Sequence, residues 1–418
     1  MQIRNKSNLI ETSMIISLGL IPWGLVIGIF FAELFFNIST ILGLFLLNKK
    51  KIKIDKLFLN ILICYWFYLI ISNTFFFFNS EIQPKIINCI GYIRFILFFL
   101  VIREIFFIIN YKKIILIQGI SVITISLDII FQKIFGFNIF GILAKENRFS
   151  SFFGDEFISG SFISKLFFPF LIYVSYILKK KNIIFFITFI IFLISVFFSG
   201  ERMATLTVLI TIFLTLIFYK DKRIIILILL FISIVSFSFI SKNNRFTEVV
   251  KVFSPTEQTN DKIVEYKVRF THLLNESGHL PLFITSFKIW EENKLFGSGV
   301  RTFRNKCSDE RFQKINYKYS TCSTHPHNYY LEILAETGLI GFILIFSFIL
   351  MHLYRSIKII LYNDNEGLDM MLLKAYVVTN LSFFLIISSG SFFNNWISIV
   401  FWINLTFLSS ITKKVNYN

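Results

Sequence analysis

Four of the five histidines in this 418-residue chain, His272, His279, His325 and His327, fall within one polar stretch between apolar runs. Two of them stand one residue apart in "CSTHPHNYYLEILAETGLIG", from Cys322 to Gly341. Pro326 stiffens the backbone that holds both rings. His327 and Asn328 fall where a helix should begin. A neutral imidazole there can take a proton from a hydroxyl, because its reference pKa is near 6.5. An H-x-H pair also suits a metal ion, but no carboxylate stands at a recognisable ligand spacing. Histidines that merely pack are the third reading. Glu332 and Glu336, one helical turn apart, share a helix face.

The same stretch carries Arg245, Arg269, Arg301, Arg304 and Arg311. Guanidinium groups in such number suit an anion, phosphate above all, although a basic loop can also be simply solvated. "SGERMATL" (Ser199–Leu206) interrupts two apolar runs with Glu201 and Arg202. Ionisable residues at a membrane face are functional candidates, with a local ion pair as the alternative. The turn at Gly200 and the helix start after it could offer N–H groups to an anion. "KENRFSSFFGDEFISGSF" (Lys145–Phe162) sets Arg148, Gly154, Asp155 and Glu156 before another helix, where acids can also serve only as caps. Asp128 and Gln132, one turn apart near the end of an apolar run, form a further polar pair. Cys307 and Cys322 would close a loop of about 15 residues, and a disulfide there would contribute roughly 3 kcal/mol in an oxidising compartment. Cys64 and Cys89, beside or within apolar segments, read as small core residues.

The elements that must position these residues are membrane helices. The chain is 55% hydrophobic, with 56 Phe, beyond the range of soluble domains. Apolar segments fall at 9–26, 28–47, 57–78, 86–108, 114–133, 159–178, 183–199, 203–219, 224–241, 329–353, 370–389 and 392–412. The expected fold is therefore an all-α polytopic membrane protein of about twelve transmembrane helices. The region around Pro22 and Gly24 could be broken or re-entrant. The basic N-terminus lacks a cleavage site and reads as a retained first span. Lys and Arg concentrate in alternate short loops, which places both termini in the cytoplasm. The net charge of +17 thus sets topology and does not indicate a nucleic-acid partner. Two segments on the outer side are longer, 134–158 and 242–328. The expected organisation is helices 1 to 9 over residues 1–241, a loop domain over 242–328, and helices 10 to 12 over 329–418.

Taken together, "FGSGVRTF" (Phe296–Phe303), "HPHNYYLEILAETGLIG", "SGERMATL" and "RFSSFFGDE" resemble the bacterial O-antigen ligase and polymerase superfamily. The similarity covers roughly residues 120–345. It implies a GT-C-like membrane glycosyltransferase of lipopolysaccharide biosynthesis, in the inner membrane, with its large periplasmic loop between helices 9 and 10. Such enzymes move a glycan from undecaprenyl diphosphate to an acceptor hydroxyl, on the lipid A core for ligases or on another lipid-linked repeat for polymerases. No metal, nucleotide or other cofactor is implied. The family's catalytic histidine maps onto His327 and its turn arginine onto Arg202. Its loop arginine maps onto Arg269, with Arg301 and Arg304 as rivals. Arg148, Arg301, Arg304, His325, Asn328 and Glu332 are the expected substrate contacts. His279 and the Cys307/Cys322 pair depart from many members.

The resemblance leads to an inverting, metal-independent displacement. Arginines would hold the diphosphate, and His327 would orient or deprotonate the acceptor. A transporter or flippase for lipid-linked sugars is the alternative from another class. Against it, no internal repeat is visible and the polar clusters lie toward one face, not the midplane.

Overall fold

In a bilayer every backbone amide must find its partner within the protein, so long apolar runs become helices. A computed structural model describes residues 2–79, 86–145, 148–178, 182–219, 279–313, 320–363, 366–385 and 390–417. Among these the helices are α1 (Gln2–Ile27), α2 (Ile29–Lys50), α3 (Lys56–Asn79), α4 (Ile86–Gly91), α5 (Ile93–Ile105), α6 (Tyr111–Phe135), α7 (Ser159–Ile177), α8 (Asn182–Ser199) and α9 (Arg202–Phe218). They continue with α10 (Leu280–Glu292), α11 (Phe303–Lys306), α12 (Glu310–Gln313), α13 (Tyr329–Tyr362), α14 (Leu368–Leu385) and α15 (Asn395–Tyr417). No strand occurs among the described residues, only two isolated β-bridges between 137 and 148.

Eight of these segments are long and apolar enough to cross a membrane, and α8 and α9 are shorter apolar helices. The chain is a multi-pass membrane protein. The expected span 224–241, with Arg245, Arg269 and His272, lies outside the described residues. The segment read as one span at 86–108 is one apolar span, Ile86–Ile105, made of the consecutive helices α4 and α5 with a turn at Tyr92. Near the N-terminus no break occurs at Pro22; α1 continues through it and the chain turns at Gly28.

The bundle is centred on α7 and α15, which are enclosed on almost all faces, whereas α2 and α3 leave much of their surface to lipid. α15 packs against α5, α13 and α14, and α7 against α6, α8, α9 and α14. Phenylalanine supplies the filling. Phe99, Phe348, Phe401 and Trp402 meet edge-on or tilted at 5.1–6.4 Å, the geometry favoured by ring quadrupoles. Arg94 ties α2, α5 and α15 together, donating to both Glu33 oxygens at 2.9 and 3.0 Å and to Asn395 at 3.0 Å.

The decisive local feature lies in α13. Gly338 has φ +64° and ψ −172°, which breaks the helical ladder. Two backbone bonds of an unbroken helix would link Leu339 to Ala335 and Ile340 to Glu336. Instead Ser298 and Gly299 donate to the Ala335 and Glu336 carbonyls at 2.9 Å. The Leu339 and Ile340 amides donate to Lys294 and Leu295 at 2.9 and 3.2 Å. The loop between α10 and α11 thus replaces both lost bonds. Tyr68 of α3 donates to the Thr337 carbonyl at 2.5 Å beside the break. The Glu336 carboxylate accepts from the Arg301 and Phe303 amides at 2.6 and 3.1 Å. The loop segment and helix run so close that a Cβ at Gly338 would stand 2.3 Å from the Leu295 oxygen, and one at Gly297 2.4 Å from the Gly338 nitrogen.

Gly338→Ala should therefore destabilise the protein by about 1–3 kcal/mol from backbone strain alone, with the clash added. Thermal unfolding of the purified protein checks this. Leu350→Ala, on the same helix and 48% exposed, should change little by comparison.

Candidate active site

α13 begins at the histidines. Asn328 is its N-cap, accepting from Tyr330 and Leu331 at 3.0 and 3.1 Å. His327, just before it, has φ +55°, a left-handed conformation that a non-glycine residue adopts only where its surroundings enforce it. The result is a cluster of rings. The His325 and His327 centroids are 4.1 Å apart, and His279, at the start of α10, lies 5.0 Å from His327. Thr324 is 2.9 Å from His325 Nδ1. Among the described residues no group of three His, Cys, Asp or Glu is arranged to hold a metal ion.

The turn between α8 and α9 supplies the second component. Glu201 reaches across to α7, where its carboxylate accepts from the Gly160 and Ser161 amides at 2.6 and 3.1 Å. This is a capping interaction made from another helix. Burial pushes the Glu201 carboxyl above the ordinary range, opposed by its bonds to α7 and by Lys165. With Glu201 fixed, Arg202 opens α9 with its charge acting on His279. Arg148 docks on the same turn. Its guanidinium lies 4.0 Å from the Phe157 ring, and a Cβ at Gly200 would stand 3.2 Å from its Cγ. Asp128 and Gln132 hold that loop. Asp128 accepts from Ile139 N and Ser151 Oγ at 3.0 and 2.5 Å, and Gln132 from Ser151 N at 2.9 Å.

A cavity of about 660 Å³ opens beside the cluster. Its lining is mixed: Leu25, Val26, Ile29, Phe152 and Phe153 are apolar, and His325, His327, Lys165, Ser391, Asn394 and Glu156 are polar. Lys165 is only 8% exposed although it stands in a membrane helix, with its ammonium 5.8 and 5.9 Å from the Phe383 and Trp396 rings. Trp396 lines the cavity too, and its buried indole N–H has no acceptor among the described residues. Glu332 accepts from Ser391 Oγ and Phe392 N, both at 2.5 Å, and so holds the segment that carries Ser391.

Residues 187–346 match the family model described as O-antigen ligase (Wzy_C). Over this stretch the chain is similar to that family. No curated protein matches the chain. The matched stretch runs from α8 through the Gly338 break, so it contains Arg202, His279, His325, His327 and the loop that replaces the α13 bonds. Lys165, Glu156, Arg148 and the Ser391–Trp396 segment lie outside it yet complete the site.

The structure thus brings together His279, His325 and His327, with Arg202 close enough to act on His279 and Arg148 packed on Gly200, while neither arginine lines the cavity. Asn328 serves as the cap that orients His327. Arg301 and Arg304 stand apart from the cavity lining. The Arg301 side chain is half-buried, and burial followed by the like charge of Arg304 lowers its pKa, against the pull of Glu336 and Glu332. Glu332 has both oxygens taken by the 391–392 segment, so it acts on the cavity through that segment and not by facing it. Cys307 and Cys322 form a disulfide within a small apolar cluster of Leu282, Ile289, Phe303, Phe312 and Ala335. Arg269 lies outside the described residues. Lys165 and Trp396 were not anticipated. A lone lysine inside the apolar run "SGSFISKLFF" was the signal for the first; nothing local marked the second.

Partial burial lowers the His279 pKa, and the charges of His327 and Arg202 add to this. With the folded value below the unfolded one, the unfolded chain binds the proton first. Stability is therefore lost as pH falls from about 6.5 toward the folded value, and levels off below it. Thermal melting of wild type at about pH 7.5 and about pH 5.5 should show a drop, and His279→Gln should reduce it. An identical drop in the variant would mean that His279 is not the titrating group.

Proposed function

We propose that this chain is a glycosyltransferase that moves a glycan from undecaprenyl diphosphate to an acceptor sugar hydroxyl of the lipid A core. The observation that carries the reading is the mixed lining of the cavity. Apolar side chains line it together with a buried ammonium, an orphan indole N–H and two histidines, which suits a lipid joined to a diphosphate and a sugar.

In the proposed reaction the acceptor oxygen attacks the anomeric carbon of the donor sugar. The bond from that carbon to the diphosphate oxygen breaks, and inversion follows because no covalent enzyme intermediate forms. His327 takes the hydroxyl proton. Lys165 and Arg202 hold the diphosphate and stabilise the charge that grows on it as it leaves. Arg269 is retained as a further diphosphate contact, with Arg301 and Arg304 as its rivals. No metal is required, because the cations present can perform this role. The proposed setting is the periplasmic face of the inner membrane, with twelve spans, both termini cytoplasmic, a loop domain over 242–328, and helical parts over 1–241 and 329–418.

Membranes carrying each variant, supplied with lipid-linked glycan and acceptor, test these roles. His327→Ala should lower turnover roughly 10²–10⁴-fold, as expected for loss of a general base. Arg202→Ala should lower it roughly 10²–10³-fold through lost charge stabilisation. Wild-type rates in both would reject the assignment, provided the variants elute from size exclusion as wild type does. Lys165→Met should raise KM for the donor about tenfold or more while leaving KM for the acceptor unchanged. A gel of surface lipopolysaccharide from a deletion strain separates the two branches of the superfamily. Long glycan left on its lipid carrier indicates a ligase, and a core bearing one repeat unit a polymerase.

A further inference from the structure

A second cavity, of about 490 Å³, lies at the opposite end of the bundle, where α3 begins and α5, α13 and α15 end. His352, on its wall, is about 14 residues and roughly 21 Å along α13 from the Gly338 break. Arg103, Arg355, Lys358 and Lys413 line the cavity, with Asp55 as the lining acid.

These cations differ in how far they are already satisfied. Arg103 is buried and neutralised. It donates to Ser409 at 2.9 Å and pairs with Glu104, and with Asp55 at 3.5 Å. Lys413 also pairs with Glu104. Arg355 and Lys358 have no ion-pair partner among the described residues. Arg355 nevertheless converges with Arg103 on a single ring, Phe58, at 5.5 and 4.4 Å.

His352 provides the second, independent observation. It is 3% exposed and packed among Phe58, Phe99 and Phe348. Its Nδ1 is 2.8 Å from the Phe348 carbonyl, which can only accept, so Nδ1 carries the hydrogen. Nε2 is then a bare acceptor, and it is buried with no partner among the described residues. Buried polar atoms in native proteins nearly always have a partner, so an orphan at a cavity wall points to a bound group. Basic loop residues placed only to orient a membrane protein would need neither a cavity nor a buried acceptor.

We propose that this cavity binds a phosphate-bearing headgroup. The anionic phosphate lies against Arg355, Lys358 and Lys413, and a hydroxyl or ammonium of the same headgroup donates to His352 Nε2. The site is separate from the glycan-transfer reading and stands or falls without it.

Purified full-length protein in nanodiscs of mixed phosphatidylglycerol and phosphatidylcholine tests this, with retained lipid measured by native mass spectrometry. Wild type should retain phosphatidylglycerol selectively. The double variant Arg355→Ala/Lys358→Ala should lower its affinity roughly 30-fold. Both side chains are exposed, so folding should survive. His352→Phe should still retain anionic lipid but lose the preference for phosphatidylglycerol over phosphatidylmethanol, which has no headgroup donor. Inorganic phosphate, titrated without added lipid, distinguishes the source. A phosphate-induced rise in melting temperature that the double variant loses, without lipid selectivity, assigns the same site to free phosphate. Equal lipid retention by wild type and double variant, with no phosphate effect on melting, overturns the proposal.

Discussion

The exchange of backbone hydrogen bonds at Gly338 governs the geometry of the site. A helix interrupted in the membrane leaves amides and carbonyls that water cannot reach, and each unmet group is costly. Here the 294–299 segment meets them pair for pair, so the loop is attached to α13 through its backbone. The first turns of α13, from Tyr329 to Thr337, are thereby separated from the part that continues to Tyr362. That remainder, Leu339 to Tyr362, is about 36 Å long and sufficient to cross a bilayer alone. The start of the helix is thus free to follow the loop, and Asn328 and His327 are aimed by it.

Around this joint the acidic residues act as architecture. Asp128, Glu332 and Glu336 are buried and Glu201 is half-buried, and each accepts at least one backbone N–H from a separate segment. Carboxylates suit this task, because a bond to a charged acceptor is stronger than one between neutral groups. With these carboxyl groups committed to holding loops, Lys165, His325 and His327 remain to line the cavity.

Much of this was legible in the sequence, for identifiable reasons. Membrane helices announce themselves by composition, so α6, α7 and α15 fall close to their expected positions. His327 and Asn328 were recognisable because a cap residue next to a histidine at the mouth of an apolar run is a local signal. The turn at Tyr92 within 86–105 and the Gly338 break were not legible, since both depend on partners distant in sequence. The same holds for Asp128 and Glu332. As acids they appeared to be candidates for chemistry, and only the position of Ser151 or Ser391 shows what they grip. Pro22 failed in the other direction. A proline in an apolar run suggests a break, yet α1 tolerates it, as membrane helices do where neighbouring groups satisfy the freed carbonyl.

The boundary of the matched stretch bears on how the candidate site is assembled. Residues 187–346 contain His279, His325, His327, Arg202 and the joint at Gly338. The apolar lining comes from the α1–α2 turn and the 152–153 segment, and the buried ammonium from α7. These elements precede the matched stretch, while Ser391, Asn394 and Trp396 follow it. An apolar lining distinguishes ligands only by shape and length, whereas the polar groups need particular atoms at particular places. His279, His325 and His327 are therefore concentrated in the stretch that the backbone exchange joins. The surrounding helices close the cavity and hold it against lipid. Glu201 links the two parts, since it belongs to the matched stretch but caps α7 outside it, and thereby fixes Arg202 relative to Lys165.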